Sequence, residues 1–251
     1  QPTTQPITQP TPVQSPSPAG EPTASPQPKV QIICTPSQRD KFVVRPFLVY
    51  PADKPAYPEY ETAVRNYMTE LQRWYCEKVG ATFPMSTLQV VRSSYDYQTM
   101  RCGENPSQAC LDDPKKLEGN WGMYMNKAIH GGIEKWDEET AALIFSAGGG
   151  GFAGGNVYSN YASFAISGDW VLEPLSGRAN DWGIPCRYSN DWQCAGGVPK
   201  GTPAHELGHA FGLPHPDGYS GDSIMKWHGG YPSVGFLPHE IEALRQSPFF
   251  K

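Results

Sequence analysis

The chain has 251 residues, 38% of them hydrophobic and 18% charged, with a formal net charge of −5. An acid-leaning balance without a basic stripe excludes a protein that grips nucleic acid by neutralising its backbone, and no run approaches the roughly 18 to 20 uninterrupted apolar residues that a membrane-spanning helix needs. Glycine and proline, at 26 each, stand well above ordinary usage and announce many turns.

Residues 1–29 hold nine of those prolines, no aromatic residue, and only Glu21 and Lys29 as charges. Such a segment buries too little apolar surface to offset its ordering entropy, and its prolines favour extended polyproline II geometry. It reads as a linker, with an ordered arm clamped on the domain as the alternative. Pro/Thr/Ser/Gln linkers of this type resemble those that tether secreted bacterial enzymes to an anchor or a binding module. No charged n-region followed by an apolar h-region is present, so a signal peptide is expected to be absent from this stretch.

Residues 30–251 turn globular and are expected to form one domain. Phe42–Tyr50, rich in β-branched and aromatic residues, predicts a first strand, with Pro46 pointing to an edge or a bulge. A helix follows from Pro58 to Val79, where Val64, Tyr67, Met68, Leu71, Trp74 and Tyr75 share one face. Leu88–Arg92 predicts a second strand and Trp121–Ile129 a short helix. Ala141–Ser146 reads as a buried strand ended by a glycine run. Gly149, Gly151 and Gly154 spell G-x-G-x-x-G, but no helix follows promptly, so a flexible loop near a cleft is expected rather than a nucleotide site. Ala162–Ser167 predicts another strand. A long loop then carries Asp169, Trp170, Asp181, Trp182, Asp191 and Trp192, with turn aspartates and packing tryptophans as the plain reading and a calcium ion or a glycan as the alternative occupant. A helix around His205 and a last helix over Pro238–Gln246, with Leu237, Ile241 and Leu244 facing inward, complete the order. No internal repeat of 20 to 50 residues occurs, which excludes solenoids and propellers.

The six cysteines lack any C-x-x-C pair, which argues for disulfides formed outside the cytosol. Cys102 with Cys110, Cys186 with Cys194, and Cys34 with Cys76 is the preferred set among the 15 pairings that six cysteines allow; free buried thiols are the alternative.

The segment Thr202–Tyr231 carries the chemistry. His205, Glu206, His209, Gly212 and His215 spell H-E-x-x-H-x-x-G-x-x-H. His205 and His209, four apart, project from one face of a helix and can approach a single ion. Thr202 is expected as N-cap with Pro203 in the first turn, although the helix has room to begin a few residues earlier. Glu206 is placed to reach a metal-bound water rather than the metal. Gly212 lets the chain leave the helix with positive φ, so that His215 returns as a third ligand. Three imidazoles with one open position describe a catalytic zinc site, whereas structural zinc is usually closed by four protein ligands.

This segment resembles the metzincin clan of zinc metalloendopeptidases, which the long motif defines together with a downstream Met-turn. Met225, in Ser223-Ile224-Met225, stands where that methionine is expected, and the resemblance makes it a hydrophobic base beneath the metal. The fold it implies is α+β and zincin-like: a twisted mixed β-sheet with a long backing helix, an active-site helix and a C-terminal helix. Pro216 after the third histidine is similar to serralysins, yet their calcium-binding glycine-rich repeats are absent. Astacins and serralysins carry a tyrosine two residues past the methionine, where this chain has Trp227. Tyr231 and His228 are therefore the candidates for stabilising the oxyanion, with packing or a place on the rim as their plain reading. Snapalysin-like enzymes use an aspartate as third ligand, but His215 holds the motif position and Asp217 reads as loop capping. His130 and His239 lie outside the motif and are expected at the surface. In clan members an extended substrate pairs with an edge strand, and Ser163, Phe164 and Ala165 are the candidates for that edge.

The function implied is a secreted zinc endopeptidase, free or tethered at a cell surface, acting on proteins, peptides or glycoproteins with Glu206 as general base. A glycan- or protein-binding module with a structural zinc site is the rival class, and zinc-assisted hydrolysis of a non-peptide amide a third.

Overall fold

The computed structural model describes residues 34–36, 41–112, 139–147, 153–157, 163–178 and 198–251, all within the compact unit Ile32–Lys251. The expected linker, the helix over 121–129, the glycine run 148–151, the pair Cys186 and Cys194, His130 and the aspartates and tryptophans of 181–192 lie outside the described residues.

The chain order is β1 (Val43–Tyr50), α1 (Pro58–Val79), β2 (Gln89–Arg92), α2 (Tyr97–Cys102), α3 (Gln108–Asp112), β3 (Thr140–Ser146), β4 (Ala153–Asn156), β5 (Ser163–Ser167), α4 (Asp169–Ser176), α5 (Val198–Ala210) and α6 (Pro238–Gln246), with a 3₁₀ turn at His228–Gly230. The fold is α+β. Its sheet runs β2-β1-β3-β5-β4, parallel except for β4, which pairs antiparallel with β5.

Two-residue alternation divides the sheet into two apolar faces. Val44, Leu48 and Tyr50 of β1 and Ala141, Leu143 and Phe145 of β3 turn to the side that holds α1 and α5, while Phe47, Val49, Ala142 and Ile144 turn to the other, against Met100 and Ile166. Because both faces are covered, β3 is buried along its whole length, as a central parallel strand should be.

β1 is internal, contrary to the edge that Pro46 suggested. Val44 bonds Pro84 and Ser86 on the β2 side (2.9 Å each), and the β2 ladder proper starts at Phe47 opposite Gln89. Pro46 falls in the gap between them, where no backbone donor is required of it.

α1 covers one face with Tyr60, Val64, Tyr67, Met68, Leu71, Trp74, Tyr75 and Val79. Pro58 opens it, Glu59 and Glu61 occupy the first turn, and Gly80 ends it in the left-handed region at φ 76°. Tyr75 is the hub of an aromatic cluster with Trp74, Phe83, Phe211, Phe236 and Phe250. Disulfides join Cys34 to Cys76 and Cys102 to Cys110, as the spacing predicts.

Four elements depart from expectation: α2 and α3 are short helices around Cys102 and Cys110 where no element was expected, and two more bear on the site. Ala153–Asn156 is a strand, not a loop, and Asp169 and Trp170 begin a helix in which both are buried. Burial inside α4 removes these two residues from an exposed calcium- or glycan-binding loop. No helix among the described residues is long and apolar enough to cross a membrane.

Candidate metal centre

α5 begins at Val198, four residues ahead of the expected start, so Thr202 is not a cap; its hydroxyl donates back to the Val198 carbonyl (2.7 Å). The helix is fastened from behind by α1. Tyr75 Oη donates to the Ala204 carbonyl at 2.8 Å, and Tyr67 Oη donates to the Lys200 carbonyl. Gly212, at φ 98°, closes α5 as the motif requires: its N–H donates to the His209 carbonyl (2.9 Å) and that of Leu213 to the Gly208 carbonyl (3.0 Å).

His205 Nδ1 lies 2.8 Å from the Ile224 carbonyl oxygen and His209 Nδ1 lies 2.6 Å from that of Leu213. A carbonyl only accepts, so each Nδ1 carries the proton and each Nε2 is left bare. The Nε2 atoms of His205, His209 and His215 stand 3.0, 3.1 and 3.3 Å from one another. Three nitrogens at tetrahedral angles around a zinc ion, each about 2.05 Å from it, would be about 3.3 Å apart. Bare lone pairs at this separation repel unless a cation lies between them, so the donor set fits zinc with one position left for solvent or substrate. Among the described residues these three histidines are the group able to hold an ion. Burial depresses the His205 imidazole to about 3 and lowers that of His209, the neighbouring imidazoles adding to the effect, which keeps both rings in the neutral form a metal requires.

Glu206 is 8% exposed, and burial alone lifts its carboxyl to about 7. It makes no hydrogen bond or ion pair among the described residues. Strand β4 passes directly over its backbone: a Cβ on Gly155 would fall on the Glu206 carbonyl oxygen. On the same helix, a Cβ on Gly208 would fall on the Met225 sulfur, so the buried Met225 packs immediately beneath the turn that carries the first two histidines.

The Met225 turn is pinned on several sides. Lys226 and Trp227 N–H donate to the Ser223 carbonyl (3.0 and 3.1 Å), and Ile224 N–H donates to the Gly235 carbonyl (2.7 Å). Ser223 Oγ accepts from Met225 N–H at 3.0 Å and donates to Glu240 Oε2 at 2.6 Å, an oxygen that also accepts from Leu237 N–H at 2.6 Å. Glu240, from α6, thereby reaches through one hydroxyl to the turn whose Ile224 carbonyl orients His205. Neither Ser223 nor Glu240 stood out in the sequence; the available signal was Glu240 three residues into a helix whose first residue is Pro238.

The remaining candidates divide. His228 lies edge-on to His205, ring centroids 5.4 Å apart, and so borders the centre. Tyr231 does not: its hydroxyl donates to Glu70 Oε1 (3.1 Å) and its ring packs on Tyr67 and Trp74. The Tyr231 hydroxyl and ring are thus engaged on the α1 side. Ser163, Phe164 and Ala165, expected at a sheet edge, lie in β5, which is flanked by β3 on one side and β4 on the other. Phe164 and Ala165 pair on both sides and Ser163 on the β3 side, and among the described residues the edge beside α5 is β4. Asp217 is exposed, its N–H bonded to the His215 carbonyl (2.9 Å), a turn-forming place. His239 is at the surface, stacked on Tyr219 at 4.1 Å.

No family model matches the chain, and no curated protein matches it in sequence. Solved structures do. Two crystal forms of wild-type OgpA from Akkermansia muciniphila superpose with TM-scores of 0.54 and 0.53 at 14% and 16% identity, each over 89% of this chain and 65% of that one. Catalytically inactive OgpA in complex with an O-glycopeptide substrate, glycodrosocin, gives 0.51 at 14% identity over 89% of this chain and 64% of that one. The chain thus spans about 65% of the length of these structural neighbours and shares their fold.

Proposed function

We propose that this chain is a secreted, zinc-dependent endopeptidase of the metzincin type, with His205, His209 and His215 as zinc ligands and Glu206 as general base. The observation that carries the proposal is the convergence of three Nε2 atoms within 3.3 Å, those of His205 and His209 left bare by their carbonyl-bonded Nδ1 atoms, with an unpaired carboxyl on the residue following the first of them. His205, His209 and His215 would hold the ion, and zinc there would supply acidification of a water and polarisation of a carbonyl oxygen. Glu206, desolvated and with no partner among the described residues, would take the proton of the attacking water and hand it to the leaving amine. Met225 serves as the apolar floor of the Met-turn. His228 borders the site from which an oxyanion would be stabilised. The substrate lies extended and adds by backbone pairing to β4, the outermost strand of the sheet among the described residues.

The substrate class is a protein or peptide, and the structural neighbour that holds an O-glycopeptide favours glycosylated peptides. Two disulfides and a proline-rich segment at 1–29, read as a tether to an anchor or an upstream module, support an extracellular setting.

The test compares wild type with Glu206→Ala on a library of peptides and O-glycopeptides analysed by mass spectrometry, with bound zinc measured in both. Internal cleavage by wild type, inhibited by 1,10-phenanthroline and lost in Glu206→Ala with zinc retained, is expected. Wild type that holds zinc yet cleaves nothing would move the chain to the class of binding modules.

A further inference from the structure

We propose that Lys226 is the positioning residue of the third zinc ligand: its ammonium fastens the loop that follows His215 to the turn around Met225, and so sets how often His215 stands where it can close on the ion. The inference rests on the reading of His205, His209 and His215 as a metal centre, and it adds to that centre a residue outside the motif.

The three histidines are not held alike. A carbonyl oxygen fixes the ring of His205 (Ile224, 2.8 Å) and another fixes that of His209 (Leu213, 2.6 Å). His215 is exposed, and among the described residues no hydrogen-bond partner holds its Nδ1; its Nε2 faces those of the other two. A ligating imidazole ordinarily has such a partner to fix its orientation, so the place of His215 has to come from its backbone. That backbone runs on through 216–222, which form neither helix nor strand. The hydrogen bonds inside this loop are local: Asp217 N–H donates to the His215 carbonyl (2.9 Å) and Tyr219 N–H to the Pro216 carbonyl (3.3 Å). Among the described residues, the hydrogen bonds that tie it to the rest of the chain come from one side chain. Lys226 Nζ donates to the Gly221 carbonyl at 2.9 Å and to the Tyr219 carbonyl.

An ammonium shared by two carbonyls makes charge-assisted bonds, stronger than neutral ones. The stack of Tyr219 on His239, ring centroids 4.1 Å apart, holds the loop to α6, which leaves Lys226 as its link to the Met225 turn. The stretch Ser223–Lys226 thereby serves two ligands: the Ile224 carbonyl orients His205, and the Lys226 ammonium holds the segment of His215. A site that is complete in only a fraction of molecules loses apparent affinity by that fraction, so loosening that leaves His215 seated in about a tenth of them weakens binding about tenfold.

The test compares wild type, Lys226→Met and Lys226→Arg, each loaded with zinc or with cobalt(II) in its place. Methionine keeps an unbranched stem and removes the donors; arginine restores donors. In Lys226→Met, zinc affinity measured against a chromophoric chelator should fall about tenfold, and the cobalt d–d absorption should weaken and shift as a nitrogen ligand is lost. The unfolding temperature of the metal-free protein should stay that of wild type. Lys226→Arg should recover most of the affinity. Unchanged affinity and cobalt spectrum in Lys226→Met, a lower metal-free unfolding temperature without a spectral change, or an equal loss in both variants overturns the inference. Failure of the metal-centre reading shows separately, as wild type that takes up neither zinc nor cobalt, and overturns both.

Discussion

A single methyl group at Gly155 decides whether β4 can lie on the helix that carries Glu206. The Cβ would land on a backbone carbonyl, and neither partner can rotate away. Gly155→Ala should cost about 1 to 3 kcal/mol by overpacking, lowering the midpoint of thermal unfolding by several degrees (roughly 2 to 4 °C per kcal/mol at this size). Circular dichroism during a thermal ramp reads this directly, and an unchanged midpoint would mean that β4 and α5 separate readily. The histidines were legible in the sequence because helical geometry fixes what a four-residue spacing does, so His205 and His209 could be placed on one face in advance. Gly155 was not, since a glycine pair serves a loose loop and a tightly packed strand equally well. Tyr231 was ambiguous for a related reason: a tyrosine three residues beyond His228 can turn either way, and here Glu70 and Trp74 draw it to the α1 side.

Between elements, the sharpest coupling runs from α6 to α5 through the Met225 turn. Glu240 is 2% exposed, sits in the first turn of α6 and spends one oxygen on both Ser223 Oγ and Leu237 N–H. Groups of this kind, one step removed from a ligand, commonly alter metal affinity by about 10- to 100-fold. Glu240→Ala is therefore expected to weaken zinc binding within that range, measured by competition with a chromophoric chelator, with Glu240→Gln recovering part of the loss. An intact zinc affinity in Glu240→Ala would show that Ile224 holds His205 without help from α6. The elements themselves were unequally readable. α1 and α6 appear with the bounds their sequences announce, because each pairs an opening proline with apolar residues three and four apart. β4 escaped notice because Ala-Gly-Gly-Asn has no propensity for a strand and becomes one only by pairing with β5. α4 escaped because Pro174 interrupts its eight residues. The rank of β5 within the sheet was beyond reach of local patterns: alternation says that a strand has two faces, never who its neighbours are.

Across the whole molecule, buried phenols tie stability to pH. Burial, reinforced for all but Tyr75 by nearby carboxylates, holds Tyr60, Tyr67, Tyr97 and Tyr231 far above their ordinary value, as burial and the neighbouring Tyr231 hold Tyr75. Their neutral form is favoured in the folded chain, whereas in the unfolded chain they ionise near pH 10. The unfolded state thus binds fewer protons above that point, so this contribution is fully present below about pH 10 and is lost as pH rises beyond it. Base titration should show little tyrosinate absorbance from these five until the chain unfolds, and then a steep rise coincident with the loss of far-ultraviolet ellipticity. A gradual rise in the folded state would show that the phenols reach solvent.

Phe249 and Phe250 are buried, and both touch Phe211, one residue beyond the end of α5 and between the second and third histidines of the motif. This aromatic pair is thus a plug seated behind the histidine-bearing helix. Deleting residues 249–251 would loosen that helix from behind, without touching a histidine. Shortened protein should lose zinc at lower temperature than the full chain, so the stability of the metal centre is set in part by two phenylalanines that never approach the ion.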